Sequence, residues 1–186
     1  VLIGMDGVVV PPVVAPAVPT PECAALAAAY DDAVMANHTY GEDPTLPLGV
    51  REASPSELEA LGLSPNDLAP PGSTFRAEVF VRDTPGGPHY TVAYRGTAEG
   101  ADWIANAQQG VGMRSDHYDS AMSIARQVDK ASGGNVSFTG HSLGGGLASS
   151  AAAVTGRPAN TFNSAGLSAR TVGGYPETPA PVDAYY

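Results

Sequence analysis

The sequence predicts an α/β fold in which a mostly parallel sheet is crossed by helices. From residue 89 onward, strand-like and helix-like segments alternate. The apolar residues recur at every second position over 74–96 and at helical spacing over 115–133, which marks a hairpin followed by a helix. A glycine-rich turn at 139–150 then separates a short β-rich run from a helical one. Alternation of this kind is typical of parallel strands joined by crossover helices.

Composition limits the function classes before any motif is considered. The 186 residues suit one domain, and 43% of them are hydrophobic, enough for a core. The formal net charge of −10 argues against a nucleic-acid partner, which needs a basic face, and against simple electrostatic attraction to anionic membranes. Cys23 is the single cysteine, so no intrachain disulfide can form.

Residues 1–20 are predicted to form a proline-rich, extended arm, because prolines recur from Pro11 to Pro21 and exclude a helix. Asp6 and these prolines interrupt the apolar run "VLIGMDGVVVPPVVAPAVP". The run therefore matches neither a transmembrane helix of about 20 residues nor a signal peptide. The chain starts with Val1, and we expect its true beginning to be missing or processed away.

Residues 21–73 are predicted to form a helix followed by an irregular flap. Pro21 suits a first helical turn, and the helix is expected over 21–36, ending near Asn37. Its predicted apolar side consists of Leu26, Tyr30, Ala33 and Val34. The proline-broken stretch after it contains two short helices, "SPSELEALG" and "SPNDLA", each opening on a serine cap and a proline.

The core is predicted over 74–186 and opens with a β-hairpin at 74–96, whose "TPGGP" loop is expected to be somewhat longer than two residues. The next helix is expected to use Ser115 as its cap, with Asp116 and Asp119 in its first turn. The alternative is that these two acids bind a metal ion, but their position in the first turn of a helix already accounts for their charge. No cofactor is expected. The remaining segments are strand "NVSFTG", helix "SLGGGLASSAAAVTG", strand "PANTFNSAG" and the start of a strand at "VDAYY".

The turn "TGHSLGGGLASS" predicts a nucleophilic serine at Ser142. Where a strand gives way to a helix within a few residues, the apex adopts a strained backbone, and the residues at i−2 and i+2 must be small. Gly140 and Gly144 meet that need. The hydroxyl then stands clear of the surface, and the helix aims free N–H groups at an oxyanion. A glycine-rich turn of purely structural use is the alternative.

Three motifs carry a family resemblance: "VAYRGT", "DWIAN" and "VSFTGHSLGGGLAS". Over roughly residues 74–186 the chain resembles the class 3 (fungal-type) lipases and their bacterial relatives. The stretch "TFNSAG" is similar to the family's "TFG-P" strand, with Asn163 and Ser164 as departures. The resemblance implies an α/β-hydrolase fold with a mostly parallel central sheet flanked by helices. It also implies a serine carboxylic-ester hydrolase that acts on lipids, either a lipase or a phospholipase.

The resemblance assigns roles to individual residues. Ser142 matches the nucleophile, and the backbone N–H groups of Leu143 and Thr97 match the oxyanion donors, with the Thr97 hydroxyl adding to the second. Arg95 and Asp102 match structural positions. For Arg95, a buried pairing with a carboxylate is favoured over the alternative of a substrate-facing cation.

An apolar rim or lid is a further feature that the family often shows. Trp103 and Ile104 lie at the matching positions in this sequence. A lone tryptophan is nevertheless more often a core residue, so core packing is the favoured interpretation here.

The sequence offers no histidine in the place expected for the general base. In α/β hydrolases the triad order along the chain is serine, acid, histidine. No histidine follows residue 142, and the four present are His38, His89, His117 and His141. His141 adjoins the nucleophile, but adjacent side chains on such a turn point in different directions, and the resembling lipases do not use this histidine as the base.

Two acids follow Ser142, namely Glu177 and Asp183. Asp183 lies inside "PVDAYY", and in the family the acid follows that strand, so Asp183 is predicted to be a strand residue instead of the triad acid. We therefore expect the chain to be incomplete, with the acid and the histidine in a missing C-terminal part or on a second chain.

Among the resembling proteins, "SLGGGLASSAA" with "TFNSAGL" is most similar to bacterial lipase effectors injected into competing cells. That branch implies secretion or delivery to a target cell's periplasm, a lipid or phospholipid substrate, transient membrane contact and an immunity protein made by the same cell. The main alternative is a catalytically incomplete fragment or a binding module. Cutinase-like or peptidase activity on the same scaffold is a third interpretation.

Overall fold

The computed structural model of the protein describes residues 19–41, 45–96, 111–167, 169–173 and 179–186. All of the predicted proline-rich arm except its last two residues lies outside them. Along the described chain the elements are α1 (Pro21–His38), β1 (Val50–Glu52), α2 (Pro55–Ala60), α3 (Pro65–Leu68), β2 (Ala77–Thr84), β3 (Gly87–Tyr94), α4 (Val111–Ala131), β4 (Val136–His141), α5 (Leu143–Thr155), β5 (Ala159–Phe162), a 3₁₀ turn (Ala169–Val172) and β6 (Val182–Tyr185).

The described strands form one six-stranded sheet in the order β1-β2-β3-β4-β5-β6. The first three strands pair antiparallel, and β3, β4, β5 and β6 pair parallel. Since α4 links β3 to β4 and α5 links β4 to β5, each parallel step there uses a helical crossover. The predicted α/β fold with a mostly parallel sheet and flanking helices is confirmed.

Helices cover both faces of the sheet. On one face, Val128 of α4 and Leu147 of α5 are buried with Tyr94 and Phe138 of the central strands. On the other face, Met35 of α1 forms a smaller cluster with Phe80 and Ala93. Central strands buried on both sides are expected when helices flank a parallel sheet. The end of β4 is thereby held between two packed layers.

Helix α1 forms as predicted and extends two residues further, but its predicted apolar side is wrong. Leu26 and Tyr30 are 67% and 69% exposed. The buried residues are instead Ala29, Asp32, Met35 and Ala36. Small alanine side chains let the helix lie close to the sheet. The prediction chose the side with the larger apolar residues and therefore missed the face that packs.

The flap contains both predicted short helices and one strand that the sequence did not predict. Helix α2 begins with a capping box, in which the Ser54 N–H donates to Glu57 Oε2 at 2.8 Å. Strand β1 pairs with β2, placing Arg51 opposite Val81. A three-residue strand carries too little periodicity to be recognised in a sequence.

The β2–β3 hairpin forms as predicted, but its expected longer loop is wrong. Thr84 pairs with Gly87, so only Pro85 and Gly86 lie between the strands. The Thr84 hydroxyl donates to the Gly87 carbonyl at 2.6 Å and accepts from the Gly86 N–H at 3.2 Å. Gly87 has a φ of +104°, which a residue with a Cβ seldom adopts. The threonine side chain thus closes a tighter turn than the glycines suggested.

Helix α4 begins at Val111, four residues before the predicted start. Ser115 is therefore not the cap, and Asp116 and Asp119 do not lie in the first turn, so both predictions are wrong. Met113 and Arg114 favour helix strongly and extend it ahead of the expected cap. Within the described residues, no group of three or more histidine, cysteine, aspartate or glutamate residues is arranged to hold a metal ion.

None of the helices in the described part of the chain has the length and apolar character needed to cross a bilayer.

Candidate active site

Ser142 lies at the apex of the turn between β4 and α5. Its backbone has φ 58° and ψ −121°, one of two positive φ values among the described non-glycine residues. Strand β4 ends at His141 and α5 starts at Leu143, so one residue carries the whole reversal of direction. Such sparsely populated backbone conformations cost about 1–3 kcal/mol and occur mainly at functional sites. The side chain is half-buried, so the hydroxyl lies at the edge of the packed core.

Hydrogen bonds from two directions hold the apex in place. The Ser142 N–H donates to the Phe162 carbonyl at 3.0 Å, which ties the turn to β5. The Ser142 carbonyl accepts from Gly145 within α5 at 3.1 Å and from Ala165 in the loop after β5 at 3.0 Å. These bonds satisfy the main chain of the apex and offset its strain.

The glycines on either side are required by close backbone contacts. A Cβ at Gly140 would overlap the carbonyl oxygen of Gly144, and a Cβ at Gly144 would overlap the carbonyl oxygen of Tyr94 in β3. Neither oxygen can move aside without shifting a strand or a helix. The structure therefore gives both glycines the packing role that the sequence predicted for them.

The end of β3 lies directly beside the turn that carries Ser142. A Cβ at Gly96 would be 2.7 Å from the His141 carbonyl oxygen and 3.3 Å from Ser142 Cβ. Thr97 follows Gly96 in the chain but lies outside the described residues, so its role as an oxyanion donor stays a prediction. Leu143, the other predicted donor, is the first residue of α5, and its N–H has no acceptor within the helix.

Arg95 is half-buried next to this strand end. Its Nη2 donates to the Thr74 carbonyl at 3.1 Å, and its buried Nε has no hydrogen-bond partner among the described residues. None of the ion pairs between described residues includes Arg95. Asp102, Trp103, Ile104 and Glu177 lie outside the described residues, so the predictions made for them stay predictions.

His141 forms a hydrogen bond through its Nδ1 atom. The Tyr40 hydroxyl lies 3.1 Å from that nitrogen, and the Gly96 N–H donates to the same hydroxyl at 3.1 Å. The same Tyr40 hydroxyl therefore bonds to both Gly96 and His141. Tyr40 was not predicted as a site residue, and no local pattern marks it, because 101 positions separate it from its partner.

The other three histidines also make contacts elsewhere. His38 Nδ1 lies 2.6 Å from Oε2 of Glu78 on β2, and its ring meets Phe80 edge-on. The His89 and His117 rings contact hydroxyl groups of Ser137 and Thr74, at 3.0 and 3.4 Å. Burial lowers the pKa of both His89 and His117 below the ordinary value.

Asp183 lies within β6, as predicted for a strand residue, and its side chain is exposed.

Strand β6 pairs with β5, and the Asn163 N–H donates to the Tyr185 carbonyl at 2.8 Å. The neighbouring Ser164 packs against the start of α5, where a Cβ at Gly145 would be 2.8 Å from its hydroxyl. The two departures from the "TFG-P" pattern thus join β6 and α5 to the end of β5.

A cavity of about 550 Å³ lies between α1 and the sheet. Its lining includes Met35, Phe80, His89 and Ser137, but not Ser142 or Gly96. Ser137 lies near the start of β4, four residues before the strand ends at His141, which is about 13 Å at ~3.3 Å per residue. The cavity therefore does not belong to the site around Ser142.

Comparisons with known proteins find similarity to phospholipases. The family model of phospholipase-like proteins described as the Tle-like phospholipase domain matches residues 31–185. The chain is also similar to an extracellular phospholipase A1 of Serratia liquefaciens, with 36% identity over 143 residues. That alignment covers 77% of this chain and 44% of the Serratia protein, so the chain spans less than half of that relative.

The matched region of the family model begins within α1 and ends within β6. It includes the strained serine turn, the glycines that pack against it and the end of β3 beside it. Because the model matches well over half of the sequence, the chain belongs to the Tle-like phospholipase domain family.

Proposed function

We propose that this chain carries the nucleophile of a serine hydrolase that cleaves carboxylic-ester bonds of phospholipids. The observation that carries the proposal is the strained, half-buried Ser142 between a parallel strand and a helix. Membership of a phospholipase-like family and the phospholipase A1 relative support the lipid ester as the substrate class. Removal of the sn-1 acyl chain is the expected specificity, by similarity to that relative.

We assign the scaffold to the α/β hydrolases, in the class 3 lipase-like branch. Support comes from three parallel strand pairs, helices on both faces and a serine turn at the end of a central strand. In this class the oxyanion donors come from the residue after the nucleophile and from a loop after an earlier strand. Here those are the Leu143 N–H and the Thr97 N–H and hydroxyl, and Gly96 leads from β3 to that second donor.

The proposed reaction proceeds through an acyl-enzyme. Ser142 Oγ attacks the ester carbonyl carbon while a histidine base accepts the hydroxyl proton. The carbonyl oxygen becomes an oxyanion held by the Leu143 and Thr97 donors. The bond to the lysophospholipid alcohol then breaks, the alcohol takes the proton back from the histidine, and water hydrolyses the acyl-serine ester.

The histidine base and its acid are assigned to sequence outside these 186 residues. The His141 Nδ1 contacts Tyr40, and the other three histidines contact Glu78, Ser137 and Thr74. The chain also covers only 44% of its phospholipase relative.

Secretion or delivery to a target cell, and an immunity protein that binds the enzyme, belong to the same proposal, supported by the extracellular relative and the family's effector-like motifs.

The test uses the full-length gene product and vesicles of phosphatidylethanolamine and phosphatidylglycerol with a labelled sn-1 chain. Ser142→Ala removes the attacking oxygen, so release of labelled fatty acid should fall by at least about 1,000-fold. Ser123→Ala, on the exposed side of α4, is the matched control and should retain wild-type turnover. Undiminished release by Ser142→Ala would contradict the nucleophile, and release of the sn-2 chain alone would contradict the specificity.

A binding module without turnover is the second candidate function, favoured by the other contacts made by all four histidines. Reading the encoding gene beyond Tyr186 separates the two. A further strand, an aspartate in the loop after it and then a histidine support the hydrolase. A stop codon directly after Tyr186 supports the binding module.

A further inference from the structure

We propose that Tyr40 is a positioning residue that fixes Gly96, just after β3, against the turn that carries Ser142. The inference rests on the proposed hydrolase function and deepens it. Its basis is one hydroxyl that bridges two segments far apart in the sequence, the end of β3 at Gly96 and the end of β4 at His141. Tyr40 itself belongs to a third segment, the turn after α1.

One of the two hydrogen bonds has a fixed direction. The Gly96 N–H can only donate, so the Tyr40 oxygen accepts it at 3.1 Å. The second bond joins the same hydroxyl to His141 Nδ1, also at 3.1 Å, and its direction follows the tautomer of the His141 ring. Burial raises the pKa of Tyr40 above its usual value, so the phenol keeps its proton throughout the physiological range.

Gly96 explains why such a tether is needed. A side chain at this position would overlap the Tyr40 hydroxyl and come within 2.7 Å of the His141 carbonyl oxygen, so only glycine fits. Glycine, however, is the least restricted residue of the backbone. The bond from its N–H to Tyr40 therefore restrains this stretch of backbone beside the turn that carries Ser142.

Tyr40 is itself held by the end of α1. Its N–H donates to the Asn37 carbonyl at 3.1 Å, and the buried Thr39 hydroxyl donates to the Ala36 carbonyl at 2.7 Å. Helix α1 is fixed on the sheet by Met35 and by the bond of Asn160 to Asp32 at 2.6 Å. The Tyr40 hydroxyl thus follows directly after a packed helix. The packing of α1 therefore determines where Gly96 is held beside the turn that carries Ser142.

This arrangement predicts a specific kinetic signature. The tether holds the backbone after β3 against the turn that carries Ser142 and Leu143, whose groups stabilise the transition state of the proposed reaction, and the hydroxyl is already engaged by the protein. Removing it should therefore lower kcat and kcat/KM together and leave KM almost unchanged. Loss of one part-buried hydrogen bond that positions this turn predicts a decrease in kcat of about tenfold.

The experiment compares Tyr40→Phe with Tyr30→Phe in the full-length gene product, using the same labelled vesicles. Tyr30 is the matched control, since it lies on α1 with a 69% exposed side chain. We expect Tyr40→Phe to lose about tenfold in kcat, with KM within about twofold of wild type and Tyr30→Phe unchanged. Nitrogen NMR of the His141 ring supplies an independent readout, because Nδ1 should lose its hydrogen-bonded shift in Tyr40→Phe alone.

The outcomes distinguish a failure of the Tyr40 proposal from a failure of the hydrolase proposal. Wild-type kcat in Tyr40→Phe, a change confined to KM, or an unchanged His141 Nδ1 signal would overturn the role of Tyr40. The hydrolase proposal would stand in those cases if Ser142→Ala were inactive. Absence of ester cleavage by the wild-type protein would overturn both proposals together.

Discussion

Ser142 adopts a backbone conformation that an L-residue tolerates only when its surroundings enforce it. The φ of 58° and ψ of −121° belong to a region that glycine enters at little cost. Here the conformation is held by the Phe162 carbonyl on one side and by the Ala165 and Gly145 N–H groups on the other. The strain at this residue positions the hydroxyl at the edge of the core, and its size can be measured by substitution.

Comparing Ser142→Gly with Ser142→Ala separates the effect of backbone strain on stability from the effect of losing the hydroxyl. Both remove the oxygen, but only glycine relieves the positive φ. We expect the Gly variant to be more stable than the Ala variant by about 1 kcal/mol, the lower end of the usual cost of such conformations. Equilibrium urea unfolding of both variants measures the difference. A Gly variant less stable than the Ala variant would show that the turn is unstrained.

At the scale of the element, helix α1 contributes to the geometry of the candidate site, although no motif in its sequence indicates this. It places Tyr40 beside the turn that carries Ser142 and packs on the sheet through small side chains and Asp32. The Asp32 carboxylate accepts from Asn160 Nδ2 at 2.6 Å, and its backbone carbonyl accepts from the Thr139 hydroxyl at 3.2 Å. The helix is thus anchored on both β4 and β5, the strands that carry the serine turn.

Asp32 should make this anchor sensitive to pH. Burial raises its pKa from 3.8 to about 6, and the bond from Asn160 offsets only part of that shift. The folded state therefore binds the proton more tightly than the unfolded state, in which the carboxyl ionises near pH 3.8. Its contribution to stability is fully present below pH 3.8 and is lost as the pH rises through 6, by roughly 3 kcal/mol in total.

Asp32→Asn should abolish this part of the pH dependence, because an amide keeps an acceptor for Asn160 without a charge. We expect the free energy of unfolding of the wild type to fall relative to the variant between pH 4 and pH 7, measured by urea unfolding at each pH. Asp119→Asn, at an exposed position of α4, is the control and should parallel the wild type. Parallel curves for wild type and Asp32→Asn would contradict the assigned role.

At the scale of the whole molecule, the sequence indicated those parts of the fold that depend on local patterns. Alternation over 77–94 and the helical period over 116–131 predicted the hairpin and α4, and the glycine spacing predicted the turn at Ser142. Each of these signals lies within about 20 residues of contiguous chain. Local propensity and tertiary packing agree there, so the pattern alone is sufficient.

The features that the sequence did not predict all depend on distant packing. The pairing of β1 with β2 joins segments about 30 residues apart, and the buried side of α1 is set by how closely alanines approach the sheet. The contact of Tyr40 with His141 spans 101 positions. No periodicity encodes such contacts, which explains why Tyr40 entered the candidate site only with the structure.

The central claim is that Ser142 is a nucleophile facing two amide donors. The most direct measurement is a crystal structure of the full-length gene product after reaction with an alkyl fluorophosphonate. We predict a phosphorus–oxygen bond to Ser142, with the phosphonyl oxygen about 3 Å from the N–H groups of Leu143 and Thr97. Phosphorus bound to a different residue, or a phosphonyl oxygen that meets neither donor, would contradict the account.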